Sequence, residues 1–331
     1  MIETRLTRQF GLSVPVVLAP MARVAGGRLA AAVSRAGGLG LIGGGYCDAA
    51  WIAEQMDLLR DHAGRAPFGV GLITWALDAV PEVLGQVLAQ GPQAVFLSFG
   101  DPRPHADAIH AAGARLICQV QDMTGARQAL AAGADVIVAQ GAEAGGHGAG
   151  HGRGRATMTL VPEVVDLVAA ERPEVLVLAA GGITDGRGLA AALMLGADGV
   201  VCGTRFWAAA EALVPEGQAR AALAVDGDAT FRSSLVDVAR GLDWPAPYDL
   251  RGMRNAFSAQ WEGRLEALAA DPAARAAWAE AAANGDAGIA APIVGEGIGL
   301  IRDAPGAAQI MARMAQEAAQ RLGHGARPVG T

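Results

Sequence analysis

Charged residues and cysteine are both scarce in this chain of 331 residues. Only 18% of the residues are charged and 52% are hydrophobic, which argues against intrinsic disorder and provides apolar material for a large core. The net charge is −7 and no basic run stands out, so nucleic-acid binding through a basic face is not expected. Three widely separated cysteines, Cys47, Cys118 and Cys202, form no Cys-x-x-Cys pair. Their number and spacing argue against a disulfide framework or a cysteine metal site and are typical of a reducing cytoplasm.

Long hydrophobic runs are also missing. Residues 1–10 carry Glu3, Arg5 and Arg8 and no apolar stretch, so they do not resemble a signal peptide. Apolar stretches elsewhere end after a few residues at glycine or at a charged residue, far short of the roughly 18 residues that cross a bilayer. The sequence therefore predicts a cytoplasmic protein with no membrane partner.

The sequence does contain a repeated pattern of short apolar runs. Continuous, mainly apolar runs that do not alternate with polar residues are typical of parallel strands buried on both faces. Eight such runs are present: Val16–Leu18, Leu39–Ile42, Gly69–Ile73, Ala94–Phe99, Leu116–Val120, Val136–Ala139, Val175–Ala179 and Gly199–Cys202. Amphipathic Ala/Leu-rich segments lie between them, and several end in glycine, which readily terminates a helix. Eight alternations predict an α/β fold, a (β/α)8 TIM barrel, with a doubly wound sheet as the alternative.

The pattern changes after Phe206. Residues 208–285 are rich in Ala, Glu and Arg, are predicted to be helical and contain no strand-like run. We therefore predict a barrel formed by residues 1–207 and 290–331, with residues 208–289 as a helical insertion after strand eight or a cap over the barrel mouth. A final amphipathic helix, Pro305–Leu322, is expected to pack back on the barrel.

Glycine turns follow the seventh and eighth predicted strands. They contain Gly181 and Gly182 in one turn, and Gly203 and Thr204 in the other. Loops after these two strands of a barrel commonly bind phosphate through backbone amides. The pattern predicts a phosphate site, for a cofactor or a phosphorylated substrate, against the alternative of two ordinary turns. Residues 38–43 also match Gly-x-Gly-x-x-Gly, but these glycines lie within a predicted strand, so a Rossmann dinucleotide site is not predicted.

The segment 140–151 combines glycine with histidine. Its glycines disfavour a helix, so His147 and His151 are not placed as the helical zinc pair of His-Glu-x-x-His proteins. A histidine directly beyond strand six is suited to act as a base near neutral pH, and we predict this role for His147. A metal site formed by Glu143 with the two histidines remains the alternative.

Five motifs together resemble the nitronate monooxygenase (2-nitropropane dioxygenase) family. They are Ala19-Pro20-Met21, Ala36–Gly40, Ala139–His147, Ala180–Ile183 and Gly196–Phe206, in order within residues 15–206. The resemblance implies a barrel that binds flavin mononucleotide (FMN). It also implies oxidation of alkyl nitronates or nitroalkanes by O2 to a carbonyl compound and nitrite, without NAD(P)H. In that reaction His147 is the catalytic residue, which removes the α-proton of a neutral nitroalkane or steers a bound nitronate.

The resemblance also implies where the FMN lies. Its phosphate is expected on the glycine turns after strands seven and eight, and its isoalloxazine ring against the loop after strand one and beside strand six. Gln119 is added because it ends strand five. The predicted cofactor-binding residues are Ala19, Pro20, Met21, Gln119, Gln140, Gly145, Gly181, Gly182, Cys202, Gly203 and Thr204. The apolar candidates for the substrate pocket, with ordinary core as the alternative, are Met21, Trp75, Phe206 and Trp207. No metal is predicted.

Two positions depart from the family pattern. Gly71 stands where many members have Asn, which implies one polar flavin contact fewer. Arg23 follows the Ala-Pro-Met turn, where small residues are common, and a cation there would select an anionic substrate. Arg153 and Arg155 either bind such a substrate or are solvated.

Two other functions stay open: NAD(P)H-dependent reduction of a quinone, an enoyl thioester or a ketone, and a non-redox barrel for a phosphorylated metabolite. A homodimer is also left open.

Overall fold

The computed structural model describes residues 2–150 and 152–323. The strands are β1 (Val16–Leu18), β2 (Gly40–Gly45), β3 (Phe68–Ile73), β4 (Ala94–Ser98), β5 (Arg115–Val120), β6 (Val136–Gln140), β7 (Gly146–Ala149), β8 (Leu176–Ala180), β9 (Gly199–Cys202), β10 (Thr230–Ser233) and β11 (Tyr248–Met253). The helices are α1 (Arg5–Phe10), α2 (Gly27–Arg35), α3 (Ala49–Ala63), α4 (Thr74–Ala79), α5 (Glu82–Leu88), α6 (Arg103–Ala111), α7 (Met123–Ala131), α8 (Thr157–Glu171), α9 (Gly186–Met194), α10 (Thr204–Trp207), α11 (Glu216–Leu223), α12 (Leu235–Arg240), α13 (Ala256–Trp261), α14 (Leu265–Ala269), α15 (Pro272–Asn284) and α16 (Ala307–Gly323).

Eight parallel strands form the barrel. They are hydrogen-bonded in the order β1-β9-β8-β6-β5-β4-β3-β2. A parallel bridge between Val17 and Leu39 joins the two ends of this order, and the amide of Leu18 donates to the carbonyl of Leu39 at 2.9 Å. The predicted (β/α)8 barrel is confirmed, and the doubly wound alternative is wrong because such a sheet would have two free edges.

The barrel interior is filled by side chains, and one end is closed. The interior layer includes Leu41, Phe96, Ile117, Val138 and Leu178. Leu6 and Phe10 of α1 belong to the same layer. Leu6 lies against Gly199, the first residue of β9, so α1 covers the end at which the strands begin. The opposite end, where the strands finish, is left for a site.

A second, smaller sheet corrects the prediction for residues 208–285. Strands β10 and β11 pair antiparallel, and β11 pairs antiparallel with β7. The expectation of no strand in this segment is therefore wrong. The two strands mix apolar residues with Arg232, Asp249 and Arg251, so they leave no continuous apolar run, as expected for strands not buried on both faces. The rest of the segment is helical as predicted, from α11 to α15.

The last helix packs back on the barrel as predicted. Ile310, Met311 and Met314 of α16 are buried in the core between strands and helices, and the helix contacts α2 and α9. Over the described residues, no helix combines the length and hydrophobicity needed to cross a membrane.

Candidate functional site

The loop after β1 lies across the ends of neighbouring strands. The amide of Ala19 donates to the carbonyl of Cys202 at 2.9 Å, which ties the loop to β9. A β-carbon added at Gly71 would lie 2.2 Å from the β-carbon of Pro20. Gly71 therefore has no room for the Asn side chain that many family members carry, because the Pro20 ring fills that space. Met21 is only partly buried, with its sulfur beside Gly203.

The glycine turns after β8 and β9 lie side by side because these strands pair directly. Gly181 and Gly182 have φ values of 106° and 71°, a conformation that favours glycine. Among the described residues, the backbone amides of Gly182 and Thr204 have no acceptor. A β-carbon added at Gly182 would meet nothing closer than 3.5 Å. These open amides fit a phosphate group, as the sequence predicts.

Two glutamines differ in how free their amide groups are. Gln119 is the next-to-last residue of β5, on the same face as the interior residue Ile117. Its side chain is partly exposed and forms no hydrogen bond within the part of the chain that the structure describes. Gln140 is buried, accepts a hydrogen bond from Gln121 at 2.9 Å and donates to the carbonyl of His147 at 2.9 Å. Gln119 is therefore available to a ligand, whereas Gln140 holds the start of β7.

Two arginines anchor the glycine-rich loop between β6 and β7. Arg232 of β10 donates to the carbonyl of Ala144 at 3.0 Å and to the main-chain carbonyl of Asp249 at 2.8 Å. It also pairs with the Asp249 carboxylate at 3.2 Å, with both side chains almost fully buried. Arg251 of β11 donates to the carbonyl of Ala142 at 3.0 Å. The second sheet thus fixes the backbone that precedes His147.

His147 lies on β7, the strand that links the barrel to the inserted segment. Its Nε2 atom is 3.0 Å from each carboxylate oxygen of Asp237. The side chains of His147 and Asp237 are 10% and 2% exposed. The imidazole stacks on Trp244 with ring centroids 3.4 Å apart and planes at 10°. Burial lowers the pKa of His147, and the Asp237 carboxylate partly opposes this shift, so the imidazole is neutral near pH 7.

An aromatic cluster lies beside this histidine and contacts it through Trp244 and Phe99. We use this name for Tyr46, Trp75, Phe99, Trp244 and Tyr248. The first three follow the ends of β2, β3 and β4, and the other two come from the inserted segment. The Trp244 indole donates to the Tyr46 hydroxyl at 2.9 Å, and its ring meets Trp75 and Phe99 edge to face, with centroids 5.3 and 5.2 Å apart. The cluster therefore forms an apolar roof over the barrel mouth.

The sequence identified only part of this pocket. Trp75 belongs to it, with its indole nitrogen buried and without a hydrogen-bond partner in the described structure. Phe206 and Trp207 do not line it, because both are buried in core clusters. Sequence reasoning missed Tyr46, Phe99, Asp237, Trp244 and Tyr248. Tyr46 lies shortly after a predicted strand and Phe99 is the last residue of one, which is a usable signal, whereas nothing in the sequence links the other three to the mouth.

The predicted alternatives for the charged residues can also be placed. Glu143 accepts hydrogen bonds from the amide and hydroxyl of Thr157 at the start of α8, so it caps that helix. Within residues 2–150 and 152–323, no three His, Cys, Asp or Glu side chains are grouped as a metal site would require. His151 lies outside the described residues.

The arginines expected to bind an anionic substrate mostly have partners elsewhere. Arg23 pairs with Asp48 at 2.6 Å, and Arg155 pairs with Glu163. Arg153 is exposed. The structure therefore gives none of these cations a position in the pocket around His147.

Known proteins resemble this chain over most of its length. The profile of the nitronate monooxygenase family matches residues 3–84 and 76–317. A nitronate monooxygenase of Neurospora crassa is 37% identical over 346 residues, 93% of this chain and 90% of that protein. An octahydro-indene-carboxyl-CoA dehydrogenase of Mycobacterium tuberculosis is 35% identical over 236 residues, 71% of this chain and 64% of that protein.

One solved structure extends the likeness to the whole fold. The nitroalkane oxidase of Streptomyces ansochromogenes superposes with a TM-score of 0.79 and 29% identity, covering 93% of this chain and 96% of that one. The family profile and the N. crassa relative both span most of the chain. This chain therefore belongs to the nitronate monooxygenase family and is a flavin-dependent oxidoreductase.

Proposed function

We propose that this protein binds FMN and uses O2 to oxidise alkyl nitronates, and also neutral nitroalkanes, to a carbonyl compound and nitrite. The observation that carries the proposal is the position of His147. Its imidazole lies under an aromatic roof at the barrel mouth, on the same end of the barrel as the two glycine turns. The family match supports the same reaction.

The residues that would hold FMN follow from the geometry of the mouth. The amides of Gly182 and Thr204, which have no acceptor among the described residues, would bind the phosphate. The loop after β1 and the free amide of Gln119 would face the isoalloxazine ring. The flavin would supply the redox chemistry, and the protein would supply orientation and electrostatics.

The residue that would act directly on the substrate is His147, which would accept the α-proton of a neutral nitroalkane. A neutral nitroalkane has an α C–H bond that must lose its proton, whereas a nitronate has already lost it. A neutral His147 accepts that proton, and its lowered pKa keeps it neutral at pH 7. The aromatic cluster would exclude water from the reacting carbon.

We also propose that residues 208–289 act as a cap. This segment supplies Asp237, Trp244 and Tyr248 to the neighbourhood of His147. Its strand β11 pairs with β7, so the cap and the histidine are held by the same sheet. The site would be incomplete without the insertion.

A second candidate is NAD(P)H-dependent reduction of an enoyl thioester or related carbonyl compound on the same flavin. The 35% identity to a dehydrogenase of a CoA thioester favours it. The two candidates differ in what reduces the flavin.

An anaerobic absorbance spectrum would separate them. The purified protein is recorded before and after addition of an alkyl nitronate, with NADH in a parallel cuvette, and the released cofactor is identified by mass. We expect FMN and bleaching by nitronate alone. Bleaching by NADH alone would support the reductase, and colourless protein that binds no added FMN would contradict both.

A His147→Ala variant tests the base. We expect it to retain FMN and nitronate oxidation but to lose about 10²- to 10⁴-fold in kcat/KM on a neutral nitroalkane. The exposed His62 provides the control variant His62→Ala, which should behave as wild type. Full nitroalkane activity in His147→Ala would show that the base is assigned wrongly.

A further inference from the structure

We infer that Asp237 is the positioning residue that holds His147 in one tautomer, with the proton on Nε2 and with Nδ1 free as the base. This inference rests on the proposed function for its kinetic consequence. The residue comes from α12, in the inserted segment, and its partner lies 90 residues earlier on β7. The cap therefore contributes to the chemistry as well as to the walls of the pocket.

The first step of the argument is the hydrogen bond. Both carboxylate oxygens of Asp237 are 3.0 Å from Nε2 of His147. An ionised carboxylate can only accept hydrogen bonds, so Nε2 must carry the proton. The other ring nitrogen, Nδ1, has no hydrogen-bond partner in the part of the chain that the structure describes. Its lone pair is thus the one available to a substrate proton.

The second step is the isolation of the carboxylate. Asp237 is 2% exposed, and among the described residues its only side-chain partner is His147. Buried carboxylates that serve structure alone are usually paired with a cation or receive several hydrogen bonds. Here the carboxylate faces an imidazole that is neutral at rest. It gains a full ion pair only when His147 takes up a proton, which is what a base requires in the transition state.

The third step is the orientation of the ring. Trp244 stacks on one face of the imidazole at 3.4 Å, and Phe99 meets it edge to face at 6.2 Å. The backbone of His147 is held by its pairing with Leu250 of β11 and by the Gln140 amide. With Nε2 fixed by Asp237, the direction of Nδ1 is fixed as well.

Burial acts most strongly against protonation of His147, and the nearby charges act in both directions. Arg240 of α12 and Arg232 of β10 both lower its pKa, and Asp237 raises it. Tyr46, beside Arg240, has its own pKa raised, mainly by burial, and so stays neutral; the same holds for Tyr248 on β11. Asp237 is therefore the one acidic group that faces the imidazole among these neighbours. Removing its charge should make His147 a weaker base.

The test compares Asp237→Asn with Asp243→Asn, which removes an exposed carboxylate from the same segment. We expect Asp237→Asn to keep its flavin and to oxidise a pre-formed nitronate within about threefold of wild type. Its kcat/KM on the neutral nitroalkane should fall by about 10²- to 10⁴-fold. The pKa of His147, read from the pH dependence of kcat/KM, should fall as well. Asp243→Asn should match wild type on both substrates.

Two outcomes would overturn the inference. Equal losses on nitronate and nitroalkane, together with lost flavin, would mean that Asp237 only fastens the cap to the barrel. Unchanged nitroalkane activity in Asp237→Asn would mean that the carboxylate does not support the base. The more conservative Asp237→Glu keeps the charge and should recover part of the nitroalkane activity if the variant with Asn is folded and slow.

A third measurement separates this inference from the proposed function. The ¹⁵N shifts of the His147 ring, assigned with His147→Gln, report the tautomer without any substrate. If wild type oxidises neither substrate, the proposed function fails, and the shifts then decide the inference alone. The inference is supported if the proton lies on Nε2 in wild type and if, in Asp237→Asn, it leaves Nε2 or is distributed between the two ring nitrogens. A proton on Nδ1 in wild type overturns the inference.

Discussion

Replacing Arg232 by methionine should destabilise the whole protein, and not only the loop that it holds. The arginine side chain is 11% exposed and the Asp249 carboxylate that it pairs with is 6% exposed. Methionine keeps the length of the apolar stem but leaves this carboxylate buried without its cation. It also removes the donors to the carbonyls of Ala144 and Asp249.

The size of the effect follows from the burial of the pair. Removing one partner of a buried ion pair costs about 3–5 kcal/mol because the remaining charge is uncompensated. A typical domain is stable by only about 5–15 kcal/mol, so the urea midpoint should fall clearly. The loop before His147 loses its anchor, and we expect the flavin to bind about tenfold more weakly.

The assay is urea unfolding at pH 7, followed by fluorescence, with flavin titration in parallel. Arg220 is the matched control, since it is 75% exposed and pairs with Glu216 at 3.5 Å on the helix surface. Arg220→Met should change stability by less than about 0.5 kcal/mol. Adding Asp249→Leu to Arg232→Met should recover stability, because both charges are then gone. A loss below about 1 kcal/mol in Arg232→Met would refute the reasoning.

Three further outcomes are expected. Gly71→Asn should lower the free energy of unfolding by about 1–3 kcal/mol in urea unfolding, because its β-carbon would lie 2.2 Å from that of Pro20. The control Gly85→Ala on α5, where a β-carbon has open space around it, should not lower the free energy of unfolding. Equal losses in the two variants would contradict the predicted clash with Pro20. The folded-state pKa of His147 lies below its ordinary 6.5, so the stability that it contributes is present above about pH 6.5 and lost as the pH falls through the lowered value. Urea midpoints should therefore fall more steeply from pH 7 to 5 in wild type than in His147→Gln, and equal slopes would disprove the shift. Burial raises the pKa of the Cys47, Cys118 and Cys202 thiols to about 12. A thiol reagent at pH 8 should therefore label none of the three before the protein unfolds. Rapid labelling of the folded protein would show that these thiols are not buried.

The barrel could be predicted from the sequence because its strands are buried on both faces. Such strands are mainly apolar and do not alternate with polar residues, and each of the eight predicted runs overlaps a barrel strand of the structure. The turn at Gly181 and Gly182 could be predicted for a similar reason, since the positive φ values of these two residues favour glycine. These signals are local, and each lies within a few residues of the feature that it predicts.

The partners of His147 were decided by the tertiary structure alone. Strands β10 and β11 of the second sheet are short and mix charged with apolar residues. They therefore contain no continuous apolar run, and helices were predicted in their place. Asp237 and Trp244 reach the histidine only because β11 pairs with β7. The sequence by itself determined the barrel, its mouth and the histidine in it, because burial and backbone conformation restrict residue type locally. Which carboxylate and which aromatic rings surround that histidine depends on the pairing of β11 with β7, in which Leu250 faces His147. His147 and Asp237 are 90 residues apart, so no local pattern links them.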